Sequence, residues 1–269
     1  MMNSNYEEID GIKAFHSDIN ENDEDYNAKG LDFHYQIEEK HFWFVSRREF
    51  ILSCFERFIN KESEIIEIGA GTGNITRELM KNGYKNISVG EMHMNGLRYA
   101  RSYGIANCFQ FDLLRTPFED EFDVVCMFDV LEHVPDEKLA LENVKIMLKK
   151  NGLLVLSLPA HMWLWSTVDE ASGHKKRYNR KELLQLMDES GFEVQYSSYF
   201  FIFIVPLLYF RALMNRKNKG KNITEMNTGS FINNFPNKVL LGITRLENRL
   251  RRFLPDFFGG SILMIARKR

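Results

Sequence analysis

The residues best equipped for chemistry are carboxylates and glycines at the ends of apolar runs. Glu67-Ile-Gly69-Ala70-Gly71-Thr-Gly73-Asn74 sets alternate glycines directly after Ile65 and Ile66. Glu91, Asp112 and Asp129 each close a later apolar run, the last followed by Glu132-His133. Such glycines let the backbone turn sharply and approach a ligand with no Cβ in the way. Glu67, two residues before the first glycine, offers an acceptor to a cationic amino group. Glu91 lies eighteen residues past Gly73, near the roughly 20-residue spacing at which a carboxylate reaches both ribose hydroxyls of an adenosine. The set suits a nucleoside that carries a cationic group.

The elements that must hold these residues follow from the apolar runs. A buried parallel strand over 65–68 feeds the glycine turn, and a helix over 75–82 follows with Ile75, Leu79 and Met80 on one face. Further strands are predicted at 86–90, 107–111, 123–128, 153–158, 192–198 and 261–266, with helices over 137–150 and 179–189. Open α/β sheets bind ligands at the carboxyl ends of their strands, where these carboxylates fall. A dinucleotide fingerprint, G-x-G-x-x-G, needs glycine at position 74; here it is Asn74, and the third glycine is Gly73. That departure disfavours a nicotinamide-dependent oxidoreductase.

The E-x-G-x-G-x-G run resembles the first motif of class I S-adenosylmethionine-dependent methyltransferases. The tract Phe128-Asp-Val-Leu-Glu-His-Val134 is similar to the ubiquinone-biosynthesis and small-molecule branch of that family. It departs from the N/D-P-P-Y/F tetrapeptide of enzymes that methylate exocyclic amines of DNA bases. The resemblance implies an α/β fold: a Rossmann-like seven-stranded sheet with its last strand antiparallel, an N-terminal helical cap, and a helical insertion between strands 6 and 7. It implies S-adenosylmethionine as cofactor, S-adenosylhomocysteine as product, and no metal. It places Gly69, Ala70, Gly71, Gly73, Asn74, Phe128 and Asp129 around the cofactor. Asp112 would accept from the adenine amino group while Met92 and Leu113 sandwich the ring.

Methyl transfer from a sulfonium is an in-line displacement with a good leaving group, so the protein must mainly align the partners, exclude water and often remove one proton. His133 is a candidate base, or else it hydrogen-bonds within its loop. The tract Pro159 to Tyr178 follows the fifth strand and gathers two histidines, two tryptophans, an Asp and basic residues. His174 is a second candidate base there, and His161, Trp165, Asp169, Arg177 and Tyr178 are candidates for the acceptor pocket. The tract resembles a bacterial methyltransferase group sharing H-x-W-x-W…D…G-H-x-x-R-Y. Upstream, Tyr35 to Ile59 reads as one or two helices holding His41-Phe-Trp-Phe-Val-Ser-Arg-Arg48. Trp43 is either packing or part of a lid over the site, and Arg47 or Arg48 could pair with the cofactor's carboxylate.

Composition bounds the remaining readings. With 269 residues, 44% hydrophobic and 27% charged, the chain suits one large domain with an elaboration. A net charge of −2 and no basic stripe argue against nucleic acid as a partner. Cys54, Cys108 and Cys126 lack C-x-x-C spacing and read as buried hydrophobes of a reducing cytoplasm. Residues 1–30 read as a mobile acidic terminus without a signal peptide, 31–62 as the helical cap, 63–198 with 259–269 as the cofactor domain, and 199–258 as the insertion. That insertion opens with twelve apolar residues, Tyr199 to Phe210, short of the about 20 that a bilayer span needs. Basic residues at 211–221 follow, then a helix over 236–253 bearing Arg245, Arg249, Arg251 and Arg252. The segment is either a buried helix with a solvated basic face, or a peripheral contact with a lipid-like acceptor or the inner membrane face. The leading expectation is an enzyme methylating a small-molecule or lipid-linked acceptor, most often at oxygen. The alternative is a catalytically silent S-adenosylmethionine-binding partner protein.

Overall fold

A computed structural model describes residues 5–16, 18–19, 28–216 and 235–269. The acidic run from 20 to 25 and Lys217, Lys219 and Lys221 lie outside those residues. In chain order the elements are β1 (Glu7–Ile9), β2 (Ile12–Ala14), α1 (Ala28–Ile37), α2 (Phe42–Phe58), β3 (Ile65–Ile68), α3 (Asn74–Lys81), β4 (Ile87–Glu91), α4 (Met94–Ser102) and β5 (Asn107–Gln110). They continue with β6 (Phe122–Phe128), α5 (Glu137–Met147), β7 (Leu148–Pro159), α6 (Thr167–Ala171), α7 (Arg180–Glu189), β8 (Phe192–Phe200), α8 (Val205–Arg216), α9 (Phe235–Leu250) and β9 (Ser261–Lys268).

One sheet runs β1-β2-β5-β4-β3-β6-β7-β9-β8. Strands β5, β4, β3, β6 and β7 are parallel, and β9 lies antiparallel between β7 and β8. Alternation along the strands feeds two cores. Ile66, Ile68, Val125, Met127, Leu154 and Leu156 pack with Leu141, Val144, Leu183 and Met187 from α5 and α7. Ile65, Val124, Cys126 and Val155 pack with Phe50, Ile51, Phe55, Ile75 and Leu79 from α2 and α3, and with Ile204 and Leu208 at the insertion.

Three differences from the sequence reading have local causes. The sheet has nine strands rather than seven, because residues 7–14, assigned to a mobile terminus, form a hairpin whose β2 pairs with β5. Asp10 and Gly11 both take positive φ at its turn, the arrangement that D-G supplies in a two-residue hairpin. Helix α5 stops at Met147 rather than 150, since β7 already begins at Leu148 and Asn151-Gly152 form an irregularity inside that strand. Finally, β8 runs on to Phe200, so the apolar run is split: Phe201 turns with φ of 63° and the helix starts at Val205.

Candidate active site

The carboxyl ends of β3, β4 and β6 bring Glu67, the glycine turn, Glu91 and Asp129 to one edge of the sheet. Gly71 and Gly73 both have positive φ. A Cβ on Gly73 would meet Ile105 at 2.7 Å and Ala100 at 2.9 Å, and one on Gly71 would lie 3.2 Å from Leu31. Helix α1 thus lies over the turn. Thr72 donates to both oxygens of Glu38, whose carboxyl pKa is raised by burial. Asp32 at the same helix accepts from Tyr99 on α4.

Glu67 is buried. Its Oε2 accepts from the Thr76 amide at 3.0 Å and from the Thr76 hydroxyl. Burial, offset by those bonds and by the charge of Arg47, pushes its carboxyl up to about 7. Glu91 accepts from the amides of Gly71 at 2.9 Å, Met92 at 2.7 Å and His93 at 3.2 Å. It therefore fastens the glycine turn to β4. The Asp112 carboxylate caps Leu114 at 2.9 Å and pairs with Arg115, and its amide donates to His16 at 3.1 Å. His16, which follows the unanticipated hairpin, thereby joins the neighbourhood of Asp112. Met92 is half-buried, whereas Leu113 is buried in the core. Ala70 packs with Met94 and Leu97 beneath the turn. Phe128 also lies in the core, tilted against Phe55, rather than facing the cleft.

The two arginines separate cleanly. Arg47 pairs with Asp129 at 3.1 Å. Arg48 turns to α3, bonding Asn74 and pairing with Glu39 at 3.6 Å and Glu78 at 3.7 Å. Asn74 is thus engaged by Arg48 and Glu39, leaving Arg47 as the cation beside Glu67 and Asp129. Asp129 takes φ of 57° and also accepts from the Ser157 hydroxyl at 3.0 Å. Ser157 sits on a strand that reads as purely apolar and escaped the sequence reading.

Past Asp129 the chain buries Glu132 completely, and neither of its carboxylate oxygens accepts a hydrogen bond among the described residues. Burial, then the charge of Asp129, raises its pKa well above the usual carboxylate range. The His133 ring lies 4.9 Å from that of His174. Burial and then the His174 charge push His133 down to about 4. His174 Nδ1 is 2.9 Å from Asp169 Oδ1, and Nε2 is 3.9 Å from Glu132. Asp169 also receives Arg177 Nε at 2.7 Å and Nη2 at 3.0 Å. Burial alone would raise the Asp169 carboxyl, but the hydrogen bonds from His174 and Arg177 outweigh it and hold it at about 2. Glu132, His133 and His174 each offer one ligand atom, all within 4.8 Å of one another. This set could hold a metal ion; with His174 contributed from 41 residues beyond His133, no short ligand spacing advertises it.

The remaining acceptor candidates disperse. Tyr178 is in the core, its hydroxyl donating to Glu137. Trp43 stacks on Phe201 at 4.1 Å. His161 stacks between Trp163 at 5.3 Å and Tyr199 at 5.0 Å. Trp165 is half-buried, with its indole nitrogen 3.4 Å from Glu170. Only Asp169, Arg177 and His174 converge on the Asp129–Glu132 tract.

A glycine turn after the first parallel strand, a carboxylate on the second, and a last strand inserted antiparallel define an S-adenosylmethionine-binding methyltransferase sheet, here extended by a hairpin. A sequence profile described as a methyltransferase domain matches residues 48–197, and the chain belongs to the class I S-adenosylmethionine-dependent methyltransferases. It is 29% identical over 105 residues to the ubiquinone biosynthesis O-methyltransferase of Actinobacillus pleuropneumoniae and 30% to that of Haemophilus ducreyi. Each match covers 35% of this chain and 44% of the relative, so the chain spans less than half the length of these proteins. Among solved structures, a methyltransferase of Thermotoga maritima described as a possible histamine N-methyltransferase matches with a TM-score of 0.57 at 17% identity, covering 90% of this chain and 97% of that one. A phosphoethanolamine N-methyltransferase of Haemonchus contortus, in complex with S-adenosylmethionine, matches at 0.53 and 16% identity over 81% of this chain and 51% of that one. These structures share the fold.

Proposed function

We propose that this methyltransferase transfers the sulfonium methyl group to a hydroxyl of a small-molecule or lipid-linked acceptor. The Asp169–His174 pair carries the reading. With Asp169 ionised at neutral pH, its oxygen can only accept, so His174 Nδ1 must donate and Nε2 keeps its lone pair. An imidazole so oriented can take the acceptor's proton as its oxygen attacks the methyl carbon and the carbon–sulfur bond breaks. His133, pushed down to about 4, is a weak proton acceptor at neutral pH. Arg47 and Glu67 suit the carboxylate and amino group of the methionine moiety, and Glu91 the ribose. Likeness to O-methyltransferases of ubiquinone biosynthesis supports oxygen as the target.

The buried, unbonded Glu132 carboxyl favours one second reading. Glu132, His133 and His174 have the donor types of a divalent-cation site, and a cation there would supply Lewis acidity toward the acceptor oxygen. The experiment that tests the activity is methyl transfer from labelled cofactor into extracts fractionated into lipids, saccharides and aromatic metabolites. Label recovered as an ether supports the reading. Cofactor binding without transfer into any fraction replaces it with a silent binding protein.

A further inference from the structure

Helix α9 packs on the core through a mixed face, on which Leu240 and Ile243 are only partly buried. Its buried residues are polar: Asn237 (4% exposed), Thr244 (1%) and Glu247 (1%). Its outer face is apolar: Phe235 is 79% exposed, Leu246 50%, Val239 41% and Leu250 38%. The polar face is satisfied against α2 and the end of β8. Asn237 accepts from the Phe42 amide at 2.8 Å and donates to Lys40 at 2.9 Å, Thr244 bonds Ser46, and Glu247 accepts from the Phe203 amide at 2.8 Å. Lys238, Arg249 and Arg252 are exposed with the outer apolar residues, and Arg245 is held by Glu49.

Helix α8 carries a second set of exposed apolar side chains. Leu208 and Ala212 enter the core, while Phe210 is 60% exposed, Met214 51% and Leu207 50%. An apolar groove of about 850 Å³ runs between the two parts of the insertion, lined by Trp163, Phe203, Pro206, Tyr209, Leu254 and Phe258. No Asp or Glu occurs in residues 199–216 or 235–246. A soluble monomer rarely leaves so many large apolar side chains together in water. The acids further on, Glu247 and Asp256, are paired with Arg251 and Arg180, and apolar ridges interleaved with unpaired cations are the composition of an interfacial helix. No helix of the described residues is long and apolar enough to cross a membrane.

We propose that α8, α9 and the turn to Phe257 dock this protein on an anionic lipid bilayer surface. The outward apolar side chains enter the acyl boundary, and Lys238, Arg249 and Arg252 meet the headgroup phosphates. The position has a consequence for access. Strand β8 is antiparallel to β9, as is β7, so α8 leaves the sheet at the same edge as the carboxyl ends of the parallel strands. Arg211 of α8 lies close enough to Asp169 and Arg177 for their charges to act on it, and α9 packs on α2, which carries Arg47. Docking would therefore hold the end of the sheet that carries the candidate active site close to the bilayer. The proposal goes beyond the methyl-transfer reading, and its test needs no turnover.

The test is co-sedimentation with phosphatidylcholine vesicles, with and without phosphatidylglycerol, at low and high salt, alongside Trp emission to follow Trp163 beside the groove. Binding should require phosphatidylglycerol and weaken with salt. A basic residue at an anionic surface adds about fivefold, so Arg249→Glu with Arg252→Glu should lower partitioning roughly 25-fold or more. Phe210→Asp and Leu246→Asp, at exposed positions, should abolish the emission shift while leaving the circular dichroism melt at the wild-type temperature. Recovery in the supernatant with every vesicle, or equal binding to neutral and anionic vesicles, overturns the proposal. So does a concentration-dependent dimer that Phe210→Asp dissociates, which would make the face a contact between copies of this chain.

Discussion

The Asp169 carboxylate holds two N–H donors at once: His174 Nδ1 at 2.9 Å and Arg177 Nε at 2.7 Å share its Oδ1. One buried acid therefore fixes the tautomer of a cleft imidazole and the position of the loop that carries it. If His174 Nε2 accepts the proton, His174→Ala should lower turnover by about 10²–10⁴-fold with cofactor affinity within a few-fold of wild type. Asp169→Asn should lower both turnover and stability, because it also leaves the buried Arg177 short of charge. Steady-state kinetics beside calorimetric binding separates the two. A His174→Ala enzyme with near-normal turnover means that alignment alone suffices.

The same imidazole distinguishes a proton acceptor from a cation ligand. Glu132→Gln preserves shape and removes an unbonded carboxyl from the interior, so the protein should fold with equal or greater stability. Under the proton-acceptor reading its turnover stays within a few-fold and chelators do nothing. Under the cation reading wild-type turnover falls on chelation, recovers with added divalent metal, and is lost in Glu132→Gln. Chelator titration of the two proteins decides.

Glu91 carries two loads that a single substitution would confuse. Glu91→Ala removes the proposed ribose acceptor and also frees the Gly71, Met92 and His93 amides that its carboxylate ties together. Loss of charge-assisted bonds of about 2–3 kcal/mol corresponds to a 30- to 150-fold weaker dissociation constant. Glu91→Gln can still accept from the backbone, so it should recover the melting temperature without recovering full affinity. Wild-type affinity in Glu91→Ala would remove Glu91 from the cofactor site.

Cofactor binding should depend on pH through Glu67. Its folded pKa is raised to about 7, so at lower pH the carboxyl is protonated and a cationic amino group must displace that proton. Affinity should fall about tenfold per pH unit below 7, and also decline above about 8 as the ligand's own amino group deprotonates. Glu67→Gln should bind more weakly and lose the acid limb. Isothermal calorimetry from pH 5 to 9 in buffers of different ionisation enthalpy would detect the proton release. An acid limb that survives in Glu67→Gln assigns it to another group.

The sheet was legible in the sequence because β3, β4, β5 and β6 are short apolar runs that lead into Gly, Glu or Asp, and buried strands need little more than that. The carboxylates were legible for the same reason: a strand's end fixes where its next residue points. The hairpin at 7–14 escaped because three-residue strands carry no periodicity, although Asp10-Gly11 between Ile9 and Ile12 was the available signal. The acceptor tract was only half legible. Residue types singled out Asp169 and Tyr178 alike, but contacts decide that one faces His174 and the other fills the core. Helix α9 shows the deeper limit. A 3.6-residue apolar stripe locates a face without saying which side packs, and here buried polar groups hold the inner side beside Leu240 and Ile243.

The buried polar contacts make Glu247 the residue on which the insertion should depend. It is buried, and its Oε1 accepts from Arg251 at 2.9 Å while Oε2 accepts from the Phe203 amide. Arg251 in turn donates to Ser198 at 2.8 Å and to the Tyr199 carbonyl, and lies over the Phe50 ring at 4.3 Å. Glu247→Ala would leave the Phe203 amide without its acceptor and the largely buried Arg251 guanidinium without its charge partner, at a cost of about 3 kcal/mol. The loss should be local, because the cofactor sheet closes without α8 and α9. Hydrogen exchange should accelerate by about two orders of magnitude across 203–216 and 235–253, with much less change in β3 to β7. Leu246→Ala, one residue earlier but facing outward, should shift neither by more than about 0.5 kcal/mol. If Glu247→Ala instead unfolds the sheet and the insertion together, α9 is part of the same cooperative unit as the cofactor fold.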